Sequence, residues 1–394
     1  MWRRFLLIGI LCSVVFLAAC AMFGAVEPGS NNGFSGSEKC RACHAQEYVS
    51  WQDSWHSKIV RPKQGAMLQE AVDKWASDGS NKGPTVGNVT GQPFAMADVE
   101  YVVGSRWKQR YLVKNEATGN LQFMDMQFNR ASGKWEKYVQ KNDWNTQCAT
   151  CHTTGYRITE YDDKAGKTLK SDFVELSVGC EACHGPGATH ARTLKAKDIF
   201  NPADADIQAQ SRVCGYCHIR LENQRWKTAQ GNPREDFPAP KLGETHKPWD
   251  DWTKWYPEVV VIPGLQAKNS FSAEYTGDLK GLFNTDPRAR AKGIFEEAKH
   301  HQQYQGFIQS KHYQLKAISC NTCHSPHAGK GKLKKVAKDA CVVCHDASYT
   351  VQKFMPNTGE TANNLFVRTH SFAEPPRERG PGASSMGPPN YYGD

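Results

Sequence analysis

The sequence predicts a mainly α chain with a small antiparallel β insert and much irregular structure, wrapped around covalently bound groups in place of a continuous apolar core. Three observations predict it. The pattern Cys-x-x-Cys-His occurs six times. Only 39% of the 394 residues are hydrophobic and the mean hydropathy is −0.63, which is lean for this length. Apolar residues at alternate positions cluster near residues 100–140, whereas a helical period runs over 286–315.

The chain opens MWRRFLLIGILCSVVFLAAC, with Arg3 and Arg4 ahead of an apolar run over residues 5–19. That run is short for a membrane span and reads as a secretory signal over residues 1–19. Leu17, Ala18, Ala19 and Cys20 resemble a bacterial lipobox, so cleavage ahead of Cys20 and acylation of Cys20 are expected. Several acyl chains on one residue anchor a protein firmly where one holds only marginally. Ala21, in place of an aspartate, points to outer-membrane sorting on either the periplasmic or the cell-surface face. Cys12 reads as an incidental residue lost with the signal. Residues 20–38, rich in Gly, Ser and Asn, read as a flexible tether to a domain over 39–370.

The six motifs are Cys40, Cys43, His44; Cys148, Cys151, His152; Cys180, Cys183, His184; Cys214, Cys217, His218; Cys320, Cys323, His324; and Cys341, Cys344, His345. With 14 Cys and 14 His in the chain, chance would supply roughly 0.02 such matches. Disulfide frameworks and zinc sites also use paired cysteines, but neither demands a histidine directly after every second one. Covalent haem c does, because two thiols bond the porphyrin vinyls and the histidine takes an axial position on iron. Six haem c groups are expected. Each is a large apolar body, so they supply the core that the composition lacks.

Two stretches of about a hundred residues carry no motif and are too long for structureless loops. In the first, Trp107, Tyr111 and Val113, then Met124, Met126 and Phe128, then Trp135, Lys137 and Val139, alternate between turn-like NEATGN and NRASGK. This predicts a three-stranded meander within about 100–140 that covers a haem edge. The second begins Pro-rich, passes Trp249, Trp252 and Trp255, and ends in an expected long helix over about 286–315. Ile294, Ala298, His301, Tyr304, Ile308 and His312 share one of its faces. The tail, 371–394, carries too little apolar content to fold.

The formal charge of +9 becomes +7 once Arg3 and Arg4 are removed. About twelve propionates, offset by about one positive charge on each ferric iron, leave a near-neutral oxidised protein, so no nucleic-acid partner is implied. Eight histidines lie outside the motifs: His56, His190, His246, His300, His301, His312, His327 and His370. Six irons need at most six further ligands. His327 follows His324 by three residues and remains on the same side of that porphyrin, so it reaches a neighbouring iron. His190, six residues after His184, supports the same arrangement.

At CRACHAQEYVSWQDSWHSK, GSRWKQRYLV before CATCHTTGY, GCEACHGPG, HHQQYQGFIQSKHY before CNTCHSPH, and THSF, the chain resembles the cytochrome c554 and hydroxylamine-oxidoreductase-like multihaem cytochromes. The likeness covers roughly residues 38–372. It implies distal ligation by His56, His190, His301, His312, His327 and His370. Catalytic relatives often carry a lysine-ligated haem, but every motif here ends in histidine.

The function expected is electron relay in the bacterial envelope, with other cytochromes, a quinol-linked donor or a terminal acceptor as partners. Membrane attachment is expected through the lipid. An oxidoreductase acting on a small nitrogen or sulfur compound at one five-coordinate haem is the alternative, and a subunit of a larger haem wire or conduit is a third reading. The sequence leaves oligomeric state open. The run GKGKLKKVAKDA reads as a solvated linker or a docking site for an acidic redox partner.

Overall fold

A computed structural model describes residues 33–64, 70–71, 96–104, 107–114, 119–130, 132–138, 144–162, 167–219, 223–227, 233–234, 242–255, 301–328, 339–361 and 365–372. The signal, Cys20, most of the tether, His300, the lysine run and the tail beyond residue 372 lie outside the described residues. The description concerns the unit Phe34–Asp394. Among the described residues no helix is long and apolar enough to cross a membrane.

The expected β insert is present and larger than the alternation indicated. Strands β1 (Val60–Pro62), β2 (Val99–Val103), β3 (Lys108–Lys114), β4 (Leu121–Asn129) and β5 (Lys134–Lys137) form one sheet in the order β1-β2-β3-β4-β5. Every pairing is antiparallel, with Val60 opposite Val103, Val102 opposite Tyr111, Leu112 opposite Phe123 and Phe128 opposite Trp135. Both faces are buried, as β-branched and aromatic residues on a pleated surface favour. Tyr111, Val113, Met124 and Phe128 pack with Val99, Val102 and Ala71 on one side. Val60, Val103, Leu112 and Phe123 pack with Trp144, Ala149, Tyr156 and Ile158 on the other.

The second face positions a motif. Trp144 meets Phe123 edge-on at 5.6 Å and begins the short helix Trp144–Gln147, which leads into Ala149–His152. A hairpin of Arg157–Asp162 and Lys167–Asp172 follows, clamped by the bidentate pair Arg157–Asp172 at 2.6 and 2.7 Å. A third cluster gathers Tyr216, Ile219, Trp252, Tyr304 and Ile308. The side chain of Tyr304 lies where a Cβ on Gly215 would come within 2.7 Å, so the fourth motif needs glycine there to admit the ring.

The long helix expected over 286–315 is corrected in its described part. Residues 301–315 form two short helices, Gln303–Phe307 and Lys311–Gln314. His301 has a left-handed backbone (φ 54°). Ser310 is extended, and its side chain accepts from the backbone N–H of Tyr313, capping a new helix. Tyr304 and Ile308 nevertheless reach the core, so the apolar stripe survives the break.

Candidate functional site

Each motif closes as one helical turn. The histidine N–H donates to the carbonyl of the first cysteine at 2.9 Å in His44 and His324 and at 3.0 Å in His152, His218 and His345, and Cys180–His184 is itself helical. One turn places residues i, i+3 and i+4 on a common face, so both sulfurs and the imidazole address the same side.

The motif histidines do not stand alone. Ring centroids lie 6.2 Å apart for His44 and His190, 6.3 Å for His56 and His218, 6.1 Å for His184 and His327, 5.8 Å for His312 and His345, and 6.5 Å for His324 and His370. With each ring nitrogen about 2.0 Å from a first-row metal, and the centroid roughly 1 Å behind it, two imidazoles on opposite sides of one ion sit about 6 Å apart. All five pairs fit an axially ligated iron. In four of the five the partner comes from a segment at least 46 residues away in sequence, and His312 and His345 are 33 apart.

The second nitrogen of these rings is also placed for ligation. His184 Nδ1 pairs with the Phe200 carbonyl at 2.9 Å, His190 Nδ1 with that of Lys195 at 2.9 Å, and His370 Nδ1 with that of Arg368 at 3.1 Å. His218 Nδ1 lies 3.1 Å from Gln303 Oε1. A ring that donates from Nδ1 presents its Nε2 lone pair, the tautomer a metal requires. Burial holds His56 near 4, with His218 contributing, and also lowers His184, His218 and His312, so the neutral ring is the form present at pH 7.

His152 differs. Burial, then Arg110, lowers it to about 4, and its ring meets Trp144 edge-on at 6.2 Å. His246 is buried, stacked on Tyr216 at 3.4 Å and lowered to about 3, with no hydrogen-bond partner for either ring nitrogen among the described residues. Both nitrogens are buried, and the ring packs on a residue of the fourth motif.

Motifs adjoin one another through their sulfurs. The Cys40 and Cys180 sulfurs are hydrogen-bond neighbours, which lowers Cys180 and raises Cys40. Cys151 is raised by Cys217, and Cys214 by Cys320, each with burial adding to the rise. The first motif thus neighbours the third, and the fourth neighbours both the second and the fifth. Phe372 joins the last two sites, 4.9 Å from His312 and 6.3 Å from His370. Among the described residues no three His, Cys, Asp or Glu side chains converge on a bare metal ion.

Two residues that carry this geometry drew no notice in the sequence. Glu181, inside the third motif and 2% exposed, accepts from the backbone N–H groups of Ser35 (2.8 Å), Gly36 (2.7 Å) and Gly187 (2.7 Å). It therefore ties the lead-in to the first motif to the helix Ala188–Thr193 that bears His190. A carboxylate between two motif cysteines was the readable signal. Ser177, with a positive φ of 67°, bonds both backbone groups of Val60, at 2.9 and 2.6 Å. The Trp51 indole donates to the Val178 carbonyl and the Val178 N–H to that of His56, and together these fix His56.

The chain is similar in part to known proteins. Residues 104–185 match the family model described as cytochrome c554 and c-prime, and residues 312–350 match a doubled CXXCH motif. The chain is 23% identical over 299 residues to cytochrome c-554 of Nitrosomonas europaea, covering 72% of this chain and 96% of that protein. Its structure resembles the outer cell wall cytochrome OcwA, with a TM-score of 0.56 at 20% identity over 82% of this chain and 69% of the other. An undecahaem cytochrome from the S-layer of Carboxydothermus ferrireducens gives a TM-score of 0.43 at 21% identity over 86% and 46%.

Proposed function

From a multihaem c-type cytochrome, we propose a six-haem relay tethered by lipid on Cys20 to the outer membrane, passing single electrons between redox proteins of the cell envelope. Haem c supplies one-electron chemistry at iron. The chain's own residues hold and insulate it. The twelve motif cysteines make the thioether links, and His44, His152, His184, His218, His324 and His345 ligate from the motif side. His190, His56, His327, His370 and His312 close the first, fourth, third, fifth and sixth sites. At these five sites an imidazole on each side would leave no position for substrate, which suits transfer over catalysis.

The observation that carries this reading is the set of five histidine pairs spaced for an intervening iron, in motifs whose sulfurs adjoin. The test is intact mass of the purified holoprotein with iron quantitation. Six haem groups per chain, and an acylated mature N-terminus at Cys20, are expected. Fewer haems, or a polypeptide without lipid, would refute the corresponding half.

A second reading attaches to one site. Reduction of a small nitrogen or sulfur compound at an open iron position is assigned to the site of His152, whose ring meets Trp144 edge-on. Nitrite or cyanide added to the ferric protein would perturb its spectrum on this reading and leave it unchanged if all six irons are doubly ligated.

A further inference from the structure

Two motifs are far more exposed than the rest. Residues 41–47 are all exposed, Cys43 and His44 among them, and so are residues 342–348. By contrast Ala149, Thr150 and Cys151 in the second motif, Glu181 in the third, and Gly215 and Tyr216 in the fourth are buried.

The two faces of the first site differ in charge. On the motif side Glu38 and Glu47 balance Lys39 and Arg41, and Glu38 pairs with Arg41 at 2.8 Å. On the His190 side Arg192, Lys195 and Lys197 are exposed, while Asp198 is engaged by the Thr193 hydroxyl. Among these cations Leu194 is 71% exposed with φ 57°, a backbone conformation that leucine rarely adopts. Its N–H donates to the His190 carbonyl at 2.7 Å, and His190 Nδ1 meets the Lys195 carbonyl at 2.9 Å. The patch is thus fastened to the ligand itself. Inward, the Cys40–Cys180 contact leads to the third motif.

We propose that the site of Cys40, Cys43, His44 and His190 is a docking port for an acidic redox protein, which seats on Leu194 and the cations Arg192, Lys195 and Lys197. The proposal rests on reading that site as a covalent haem. A cationic rim around an apolar centre steers an acidic partner and excludes water at the contact. One electron crosses per encounter: the partner's centre is oxidised by one electron as the ferric iron becomes ferrous, and the same contact serves the reverse transfer. The other exposed stretch, residues 342–348, carries Val342, Val343 and Asp346, and the lysine run before it in sequence lies outside the described residues.

The test is stopped-flow reduction of the holoprotein by reduced flavodoxin, a small acidic flavoprotein, across ionic strength. For the unaltered protein the rate should fall steeply as salt rises. The variant Arg192→Glu, Lys195→Glu, Lys197→Glu should lose about tenfold at low salt, with its salt dependence flattened. The same charge change elsewhere, Lys311→Glu, Lys316→Glu, Lys353→Glu, should cost less than about twofold, and reduction of the first variant by cationic hexaammineruthenium(II) should not slow. The proposal is overturned if the first variant, with full haem content and an unchanged low-spin spectrum, keeps the flavodoxin rate within about twofold, or if the second loses as much. A peptide spanning Cys40 and Cys43 without haem would instead overturn the underlying reading.

Discussion

Glu181→Ala should destabilise the holoprotein and should loosen one haem site before the others. The carboxylate is 2% exposed and accepts from three backbone N–H groups, those of Ser35, Gly36 and Gly187. Hydrogen bonds to a charged group contribute about 1.5–3 kcal/mol each, or about 4.5–9 kcal/mol for three before relaxation. Water entering the space left by the side chain returns part of this, leaving about 3–5 kcal/mol, as for other broken buried charge contacts. Glu181→Gln keeps the volume and one acceptor oxygen, so it should cost about half as much. The assay is guanidinium unfolding followed at the Soret band, paired with ferric EPR of the folded variants. Ser35 and Gly36 lead into the first motif and Gly187 into the helix bearing His190, so the low-spin signal of the His44–His190 site should weaken first. A loss below about 1 kcal/mol, or an equal weakening at every site, would refute the reasoning.

His327→Ala should convert the iron of the His184 site from low to high spin; the signal lost should be that of a near-parallel imidazole pair, since His327 and His184 are 14° apart while His312 and His345 are 87° apart. Quantitative EPR checks this, and loss of the perpendicular-type signal would contradict it. Gly185→Ala should destabilise by about 2 kcal/mol, because Gly185 has φ 72° and an added Cβ would lie 2.4 Å from the Trp249 ring; thermal unfolding measures it.

The local chemistry was legible and the pairing was not. A five-residue motif repeated six times fixes the cofactor class because thioether attachment imposes that spacing on the chain. Alternation exposed strands β3 to β5, since a sheet face reads out at every second residue. Strands β1 and β2 escaped. Val60–Pro62 is three residues long, and the VEYVV of β2 is a run of β-branched and aromatic residues whose two buried faces erase the alternation. The helix over 286–315 failed in its described part at His301 and Ser310. There a left-handed residue and a serine cap outweigh a continuous apolar stripe. Chain geometry led to the expectation that His327 reaches beyond its own motif, and its approach to the His184 ring is a tertiary fact. The buried stack of His246 on Tyr216 had no periodic signal at all.

The central claim is that histidines from separate segments meet across single irons. Integrated ferric EPR of the purified holoprotein, normalised to bound iron, tests it most directly. The account predicts low-spin intensity from at least five irons per chain, of two classes: near-parallel pairs, and the near-perpendicular pairs His56–His218 and His312–His345 at 70° and 87°. Predominantly high-spin iron, or low-spin signals of one class only, would contradict it.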